Sequence, residues 1–103
     1  MLKKIITFSS ILMCSLAVAD DSAEVKALKK GMPKDVAVII ERTVGCNYWG
    51  GEDTSNKARA EKVNQALQRF ECDALEKDQM SIAKTYHNNY EVKMRIQKAK
   101  EVF

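Results

Sequence analysis

Two cysteines, Cys46 and Cys72, constrain the fold of this chain more than any other pair of residues. The chain has three cysteines, but Cys14 lies in an N-terminal segment that we expect to be removed. An even pair of cysteines in a small exported chain is typical of a disulfide. The bridge would close a loop of 27 residues from Cys46 to Cys72 inclusive, which the chain-entropy model values at roughly 3–4 kcal/mol. Neither a CxxC pair nor a nearby histidine is present, which disfavours the alternative of a redox or metal pair.

Residues 1–19 have the pattern of a secretory signal peptide. Two lysines precede a mostly apolar stretch over residues 5–16, and residues 17–19 (Ala-Val-Ala) place small side chains at the cleavage site. The apolar run is shorter than the ~20 residues that a membrane-spanning helix needs. We therefore expect a cleaved signal, a periplasmic chain that begins at Asp20, and no membrane span after cleavage.

The charge of the chain argues against a nucleic-acid partner. The net charge of the full sequence is +3, and removal of the two lysines in residues 1–19 would leave +1. Nucleic-acid binding usually depends on a clustered excess of basic residues. Here the basic residues are interleaved with acidic ones, which is typical of solvated helix faces.

The apolar pattern predicts an all-α fold over residues 33–103, a small disulfide-stapled bundle of about four helices. Residues 20–32 form an N-terminal arm, which either holds a short helix capped by Ser22 or stays loose. Apolar residues recur at spacings of three and four along each predicted helix. The four predicted buried faces are Val36, Ile39, Ile40, Thr43 and Cys46; Ala60, Val63, Ala66, Leu67 and Phe70; Leu75, Ile82, Ala83 and Tyr86; and Val92, Ile96, Ala99 and Phe103.

Capping residues predict where these helices begin and end. The predicted start signals are Pro33 with Asp35 for the first helix, Thr54 or Ser55 for the second, Asp73 with Glu76 as a capping box for the third, and Asn89 for the fourth. Two consecutive glycines, Gly50 and Gly51, are expected to end the first helix.

The segment over residues 46–52 is the candidate functional region. It contains the only tryptophan, a tyrosine and two of the four glycines. Tyr48, Trp49, Glu52 and Asp53 form the candidate binding surface. In one interpretation the two aromatic side chains cover the disulfide at the end of the bundle. In the other they are exposed anchors beside an acidic turn, a combination common at protein contacts.

Residues suited to catalysis or metal binding are sparse. His87 is the only histidine, and it lies in an Asn-rich stretch where a solvated side chain is expected. One histidine and two oxidised cysteines would not supply a tetrahedral zinc site. We therefore expect no catalytic residue, no cofactor and no metal. The alternative is a hydrolase that uses Glu52, Asp53 and Tyr48 for acid–base chemistry.

The segment Cys46-Asn47-Tyr48-Trp49-Gly50-Gly51-Glu52 resembles a motif of small exported proteobacterial proteins. That family has the pattern C-[DN]-H-[FW]-x-G-E after a helix start P-x-D-V-x-x-[FIL]-I-E-R, which residues 33–42 approximate. Cys72 and residues 86–92 fit its second cysteine and its Y-x-x-N-x-x-V turn. The resemblance implies export and a fold more than an activity. Tyr48 stands where the family has histidine, so a role of that histidine in catalysis would be lost, and Tyr48 is expected to donate a hydrogen bond towards Glu52.

The sequence therefore predicts a non-enzymatic periplasmic module that binds another periplasmic protein or an envelope component. By analogy of architecture, inhibitors and immunity-type proteins directed at cell-wall enzymes fit this profile. The alternative prediction is a small metal- or carboxylate-dependent hydrolase that acts in the envelope.

Overall fold

The computed structural model describes residues 22–103, and the signal peptide predicted over residues 1–19 lies outside the described residues. Within them the chain forms α-helices and one short 3-10 helix, and no residue lies in a β-strand. The helices are α1 (Ala23–Lys29), α2 (Lys34–Gly50), α3 (Lys57–Arg69), the 3-10 helix (Cys72–Ala74), α4 (Leu75–Thr85) and α5 (Tyr90–Lys100). The predicted all-α, disulfide-stapled fold is confirmed. None of the helices in this part of the chain is long and apolar enough to cross a membrane.

Helix α1 settles the choice that the sequence left open for the N-terminal arm. The Ser22 side chain accepts a hydrogen bond from the Val25 backbone N–H at 3.3 Å and so caps the helix. Gly31 follows the helix with φ +75°, a conformation that glycine adopts without steric penalty. Val25 and Leu28 are buried in the main core, so this stretch belongs to the folded domain.

Helix α2 is the central element, and it contacts all four of the other α-helices. It begins after Pro33 and ends at Gly50, as the sequence predicts. Its predicted face is buried except for Cys46, which is partly buried. The core joins α1, α2 and α5 through Val25, Leu28, Val36, Ile39, Ile40, Val44, Val92, Ile96 and Ala99.

Helix α5 completes this core, but its predicted face is only partly correct. Asn89 caps it by accepting from the Val92 backbone N–H at 3.1 Å, as expected. Val92, Ile96 and Ala99 are buried, whereas Phe103 is 71% exposed. The prediction for Phe103 is wrong because the helix ends at Lys100, so the helical spacing no longer places this side chain on the core face.

Helix α4 differs from the others because none of its residues is fully buried. The predicted capping box at Asp73 and Glu76 is wrong. Residues 72–74 form the 3-10 helix, and α4 starts from Ala74 without a side-chain hydrogen bond at its cap. Ala83, which was predicted to be buried, is exposed.

Polar contacts tie α4 to α2 along its length. Asp78 accepts from Arg42, the Gln79 amide donates to the buried Thr43 hydroxyl, and the Tyr86 hydroxyl donates to Asp35. These donor–acceptor distances are 2.8, 2.9 and 2.9 Å. The pairings place α4 antiparallel to α2.

The disulfide joins the last turns of α2 to the 3-10 helix that precedes α4. The Cα atoms of Cys46 and Cys72 are 5.7 Å apart, within the ~7 Å that a bridge requires. The chain turns sharply before Cys72 because Glu71 adopts a left-handed conformation with φ 52°.

Helix α3 is capped by Asn56, not by Thr54 or Ser55 as predicted. The Ser55 side chain bonds to Asp53 instead.

Candidate functional site

An apolar cavity, here called the aromatic groove, lies over the second half of α2, between α1 and α3. It encloses about 190 Å³. Helix α2 supplies the floor, α1 supplies Val25, and the segments that follow α3 and α5 each supply a phenylalanine. The lining residues are Val25, Glu41, Val44, Gly45, Tyr48, Trp49, Phe70 and Phe103.

The absence of a side chain at Gly45 allows Phe70 to form one wall of the groove. A Cβ atom placed on Gly45 would lie 2.7–2.8 Å from three carbons of the Phe70 ring. Carbon atoms normally pack at about 3.5–4.0 Å, so the ring lies against the α2 backbone in a space that only glycine leaves open. Arg69 directly precedes Phe70 in the chain, and its guanidinium lies 5.1 Å from the centre of the Phe70 ring.

Tyr48 and Phe103 form the opposite part of the groove. Their ring centroids are 5.1 Å apart, and Tyr48 also meets Trp49 edge-on at 5.2 Å. Both separations are typical of favourable aromatic pairs. The Asn47 side chain donates to the Lys100 carbonyl at 2.8 Å and thereby ties the end of α5 to α2. Phe103 is held beside Tyr48 although 71% of it is exposed.

Arg59 of α3 connects Trp49 with Glu52. Its guanidinium lies 5.8 Å from the centre of a Trp49 ring and pairs with the Glu52 carboxylate. A cation over the face of an indole is attracted by the ring quadrupole. The Glu52 carboxylate forms an ion pair with Arg59. The sequence predicts a hydrogen bond from Tyr48 to Glu52 instead. Trp49 is partly buried and Tyr48 is 38% exposed, so the two aromatic residues differ in exposure.

Asp53 is turned towards its own loop. Its carboxylate accepts from the Ser55 backbone N–H at 3.0 Å and from the Ser55 hydroxyl at 3.1 Å. The backbone hydrogen bond, followed by that of the hydroxyl, lowers the pKa of Asp53 below its ordinary value. Of the four residues of the predicted surface, Tyr48 and Trp49 line the groove, Glu52 lies next to it through Arg59, and Asp53 does not take part.

Three residues of the site were not identified from the sequence. The helical spacing predicts buried positions for Phe70 and Phe103, and no sequence pattern singles out Arg59. The signal for Phe70 is Gly45, which lies immediately before Cys46 inside α2, since an isolated glycine inside a helix often marks close packing. Residue spacing alone gives no signal that Arg59 lies over Trp49.

The residues considered for catalysis or metal binding are dispersed. His87 lies on an exposed turn, with its Nδ1 atom 3.1 Å from the Lys84 carbonyl oxygen. In residues 22–103 no three side chains of His, Cys, Asp or Glu gather in a way that could hold a metal ion. Cys46 and Cys72 are joined in the disulfide.

Fold and site together define a small, disulfide-linked helical protein with an exposed aromatic groove. Comparisons of the chain with protein-family models, curated proteins and solved structures find no match. The family resemblance in the sequence thus stays a prediction, and the function has to be argued from the groove itself.

Proposed function

We propose that this chain is a non-enzymatic periplasmic module that binds another protein or an envelope component through the aromatic groove. The observation that carries the proposal is the exposure of aromatic side chains around an apolar cavity. Tyr48 is 38% exposed and Phe103 is 71% exposed, and both border the groove. Tyrosine, tryptophan and phenylalanine are enriched at protein interfaces, where a few of them carry most of the binding energy.

The charged residues around the groove support a protein contact. Lys29 pairs with Glu41 at 3.0 Å, and Arg59 pairs with Glu52. These two ion pairs border an apolar centre, and an apolar centre inside a polar rim is the usual layout of a protein interface. Paired rim charges add little affinity and mainly favour correct partners.

The rigidity of the groove also supports binding. Phe70 is fixed against Gly45, and the adjacent disulfide holds the junction between α3 and α4 to α2. A preformed surface loses less entropy when it binds a partner. An inhibitory or immunity-type role towards an envelope enzyme would be one form of such binding.

The experiment is a periplasmic pulldown that compares substitutions at two aromatic residues with nearly equal solvent exposure. Phe103→Ala removes an aromatic side chain that borders the groove, and Tyr90→Ala removes one outside it; their exposed fractions are 71% and 73%. We expect Phe103→Ala and Tyr48→Ala to weaken capture of a specific partner about 30-fold, the effect of losing a hot-spot residue worth ~2 kcal/mol. Tyr90→Ala should capture it as the wild type does.

Two outcomes would contradict the proposal. In the first, the wild type captures nothing that is absent from a control with an unrelated helical protein. In the second, Tyr90→Ala loses the captured protein to the same extent as Phe103→Ala. Thermal unfolding of each variant shows whether a loss of binding follows from a loss of folding.

A further inference from the structure

Arg42 makes an unusual set of contacts one helical turn before Cys46. Its Nε atom donates to the Phe70 carbonyl at 2.8 Å, and one terminal nitrogen donates to the Glu71 carbonyl at 2.9 Å. The other terminal nitrogen pairs with Asp78 at 2.8 Å. The Arg42 side chain is only 13% exposed. Phe70 and Glu71 lie at the junction of α3 and α4, where the chain leads into Cys72, and Asp78 lies in the first turn of α4.

We propose that Arg42 is a positioning residue that brings Cys72 to Cys46 before the disulfide forms. The two carbonyl groups that it binds belong to the residues immediately before Cys72. Arg42 and Cys46 are four residues apart and therefore lie on the same side of α2. The guanidinium and the disulfide thus hold the same junction, but they share no atoms, so the hydrogen bonds of Arg42 do not require the bridge.

The chemistry of this junction explains why an arginine can hold it. The last carbonyl groups of a helix have no partner within the helix, and α3 ends at Arg69, next to Phe70. A guanidinium presents several donors in one plane, and its bonds to oxygen atoms are strengthened by its charge. Asp78 balances that charge, so the cation is not left unpaired in a partly buried position.

The expected effect is on the closure of the bridge by a small disulfide oxidant. One protein thiolate attacks oxidised glutathione and releases one reduced glutathione, which gives a mixed disulfide. The second cysteine then attacks the mixed disulfide and releases another reduced glutathione. In total the two protein thiols lose two electrons and two protons, and one glutathione disulfide becomes two thiols. Arg42 promotes the second, intramolecular step because it keeps the two sulfur atoms near each other.

The test measures the equilibrium constant for oxidation of the purified protein in glutathione redox buffers. Arg42→Ala should lower this constant tenfold or more. Arg95→Ala is the matched control, because Arg95 also donates to carbonyl groups at a helix end, those of Leu28 and Lys30, and also pairs with a carboxylate. That site lies away from the cysteines, and the constant should change less than threefold.

The folding of the reduced chain is followed by circular dichroism and urea denaturation for every variant. If the reduced Arg42→Ala variant unfolds, Arg42→Lys is used instead. This variant should stay folded, and its equilibrium constant for oxidation should fall between threefold and tenfold. If Arg42→Ala and Arg95→Ala lower the equilibrium constant for oxidation equally, that constant depends only on overall stability, and the proposal is overturned. Unfolding of the reduced wild-type protein would overturn it as well, since Arg42 would then hold nothing before the bridge forms.

Discussion

The substitution Gly45→Ala tests how tightly the wall of the aromatic groove is held against α2. Alanine in a helix interior is normally more stable than glycine by roughly 1 kcal/mol. At Gly45 the new Cβ atom would lie 2.7–2.8 Å from the Phe70 ring. Because carbon atoms pack at about 3.5–4.0 Å, the ring would have to move by roughly 1 Å.

The backbone of Phe70 has little freedom to follow its ring. Arg42 holds the Phe70 carbonyl at 2.8 Å, and Cys72, two residues further on, is in the disulfide. The ring must therefore turn about its own side-chain bonds and leave its contact with α2. Overpacking of this kind costs about 1–3 kcal/mol, which exceeds the gain in helix propensity. We expect Gly45→Ala to lower the free energy of unfolding by about 1 kcal/mol.

Urea denaturation followed by circular dichroism measures this effect in a double-mutant cycle with Phe70→Leu. With the smaller leucine at position 70 the clash is relieved, so Gly45→Ala should become stabilising. Gly50→Ala is the control, because a Cβ atom there meets nothing within 4 Å, and it should be neutral or slightly stabilising. If Gly45→Ala stabilises the wild type and the Phe70→Leu variant equally, the two positions are not coupled and the argument from packing fails.

Three further predictions concern the bridge, one turn and one hydrogen bond. Reduction of Cys46–Cys72 should lower the free energy of unfolding by roughly 3–4 kcal/mol, measured by urea denaturation; two thiols alkylated without prior reductant would contradict the bridge itself. Gly31→Ala should cost about 1 kcal/mol, since φ is +75° and the position is otherwise open; an unchanged urea midpoint would refute this. The hydrogen bond that Tyr86 donates to Asp35 raises the pKa of Tyr86 above its ordinary value of 10.0. The stabilisation of the fold by this bond is therefore present below pH 10.0 and is lost as the pH rises through the higher pKa of the folded state. Absorbance titration should show Tyr86 returning towards 10.0 in Asp35→Asn, and an identical titration curve would count against the bond.

The features of the fold that depend on neighbouring residues could be predicted from the sequence. Ser22 and Asn89 cap their helices by bonding three residues ahead, and Pro33 and Gly50 bound α2 as expected. The capping box at Asp73 failed because the left-handed residue before Cys72 and the bridge itself impose a 3-10 helix there. A capping motif describes local preference and does not include such a constraint.

The site was less predictable because its parts come from distant positions in the chain. The segment around Tyr48 and Trp49 was identified, since clustered aromatic residues beside glycines stand out in a short chain. Phe70 and Phe103 carry helical spacing that fits a buried face equally well, and only the packed structure shows that both border an open groove. The ion pair of Glu52 depends on where α3 crosses the end of α2, which the sequence pattern does not determine.

The neighbouring residues Glu41 and Arg42 hold helices on different sides of α2. Glu41 accepts from Lys29 of α1 at 3.0 Å, while Arg42 reaches the junction of α3 and α4. Consecutive residues of an α-helix are rotated by about 100°, so one residue added or lost between Arg42 and Cys46 would turn the cysteine away from its partner. Extra residues within 53–56 would leave this alignment unchanged, because they lie in an exposed loop. Among proteins that share this fold, chain length should therefore vary in the loop, while the interval from Arg42 to Cys46 stays constant.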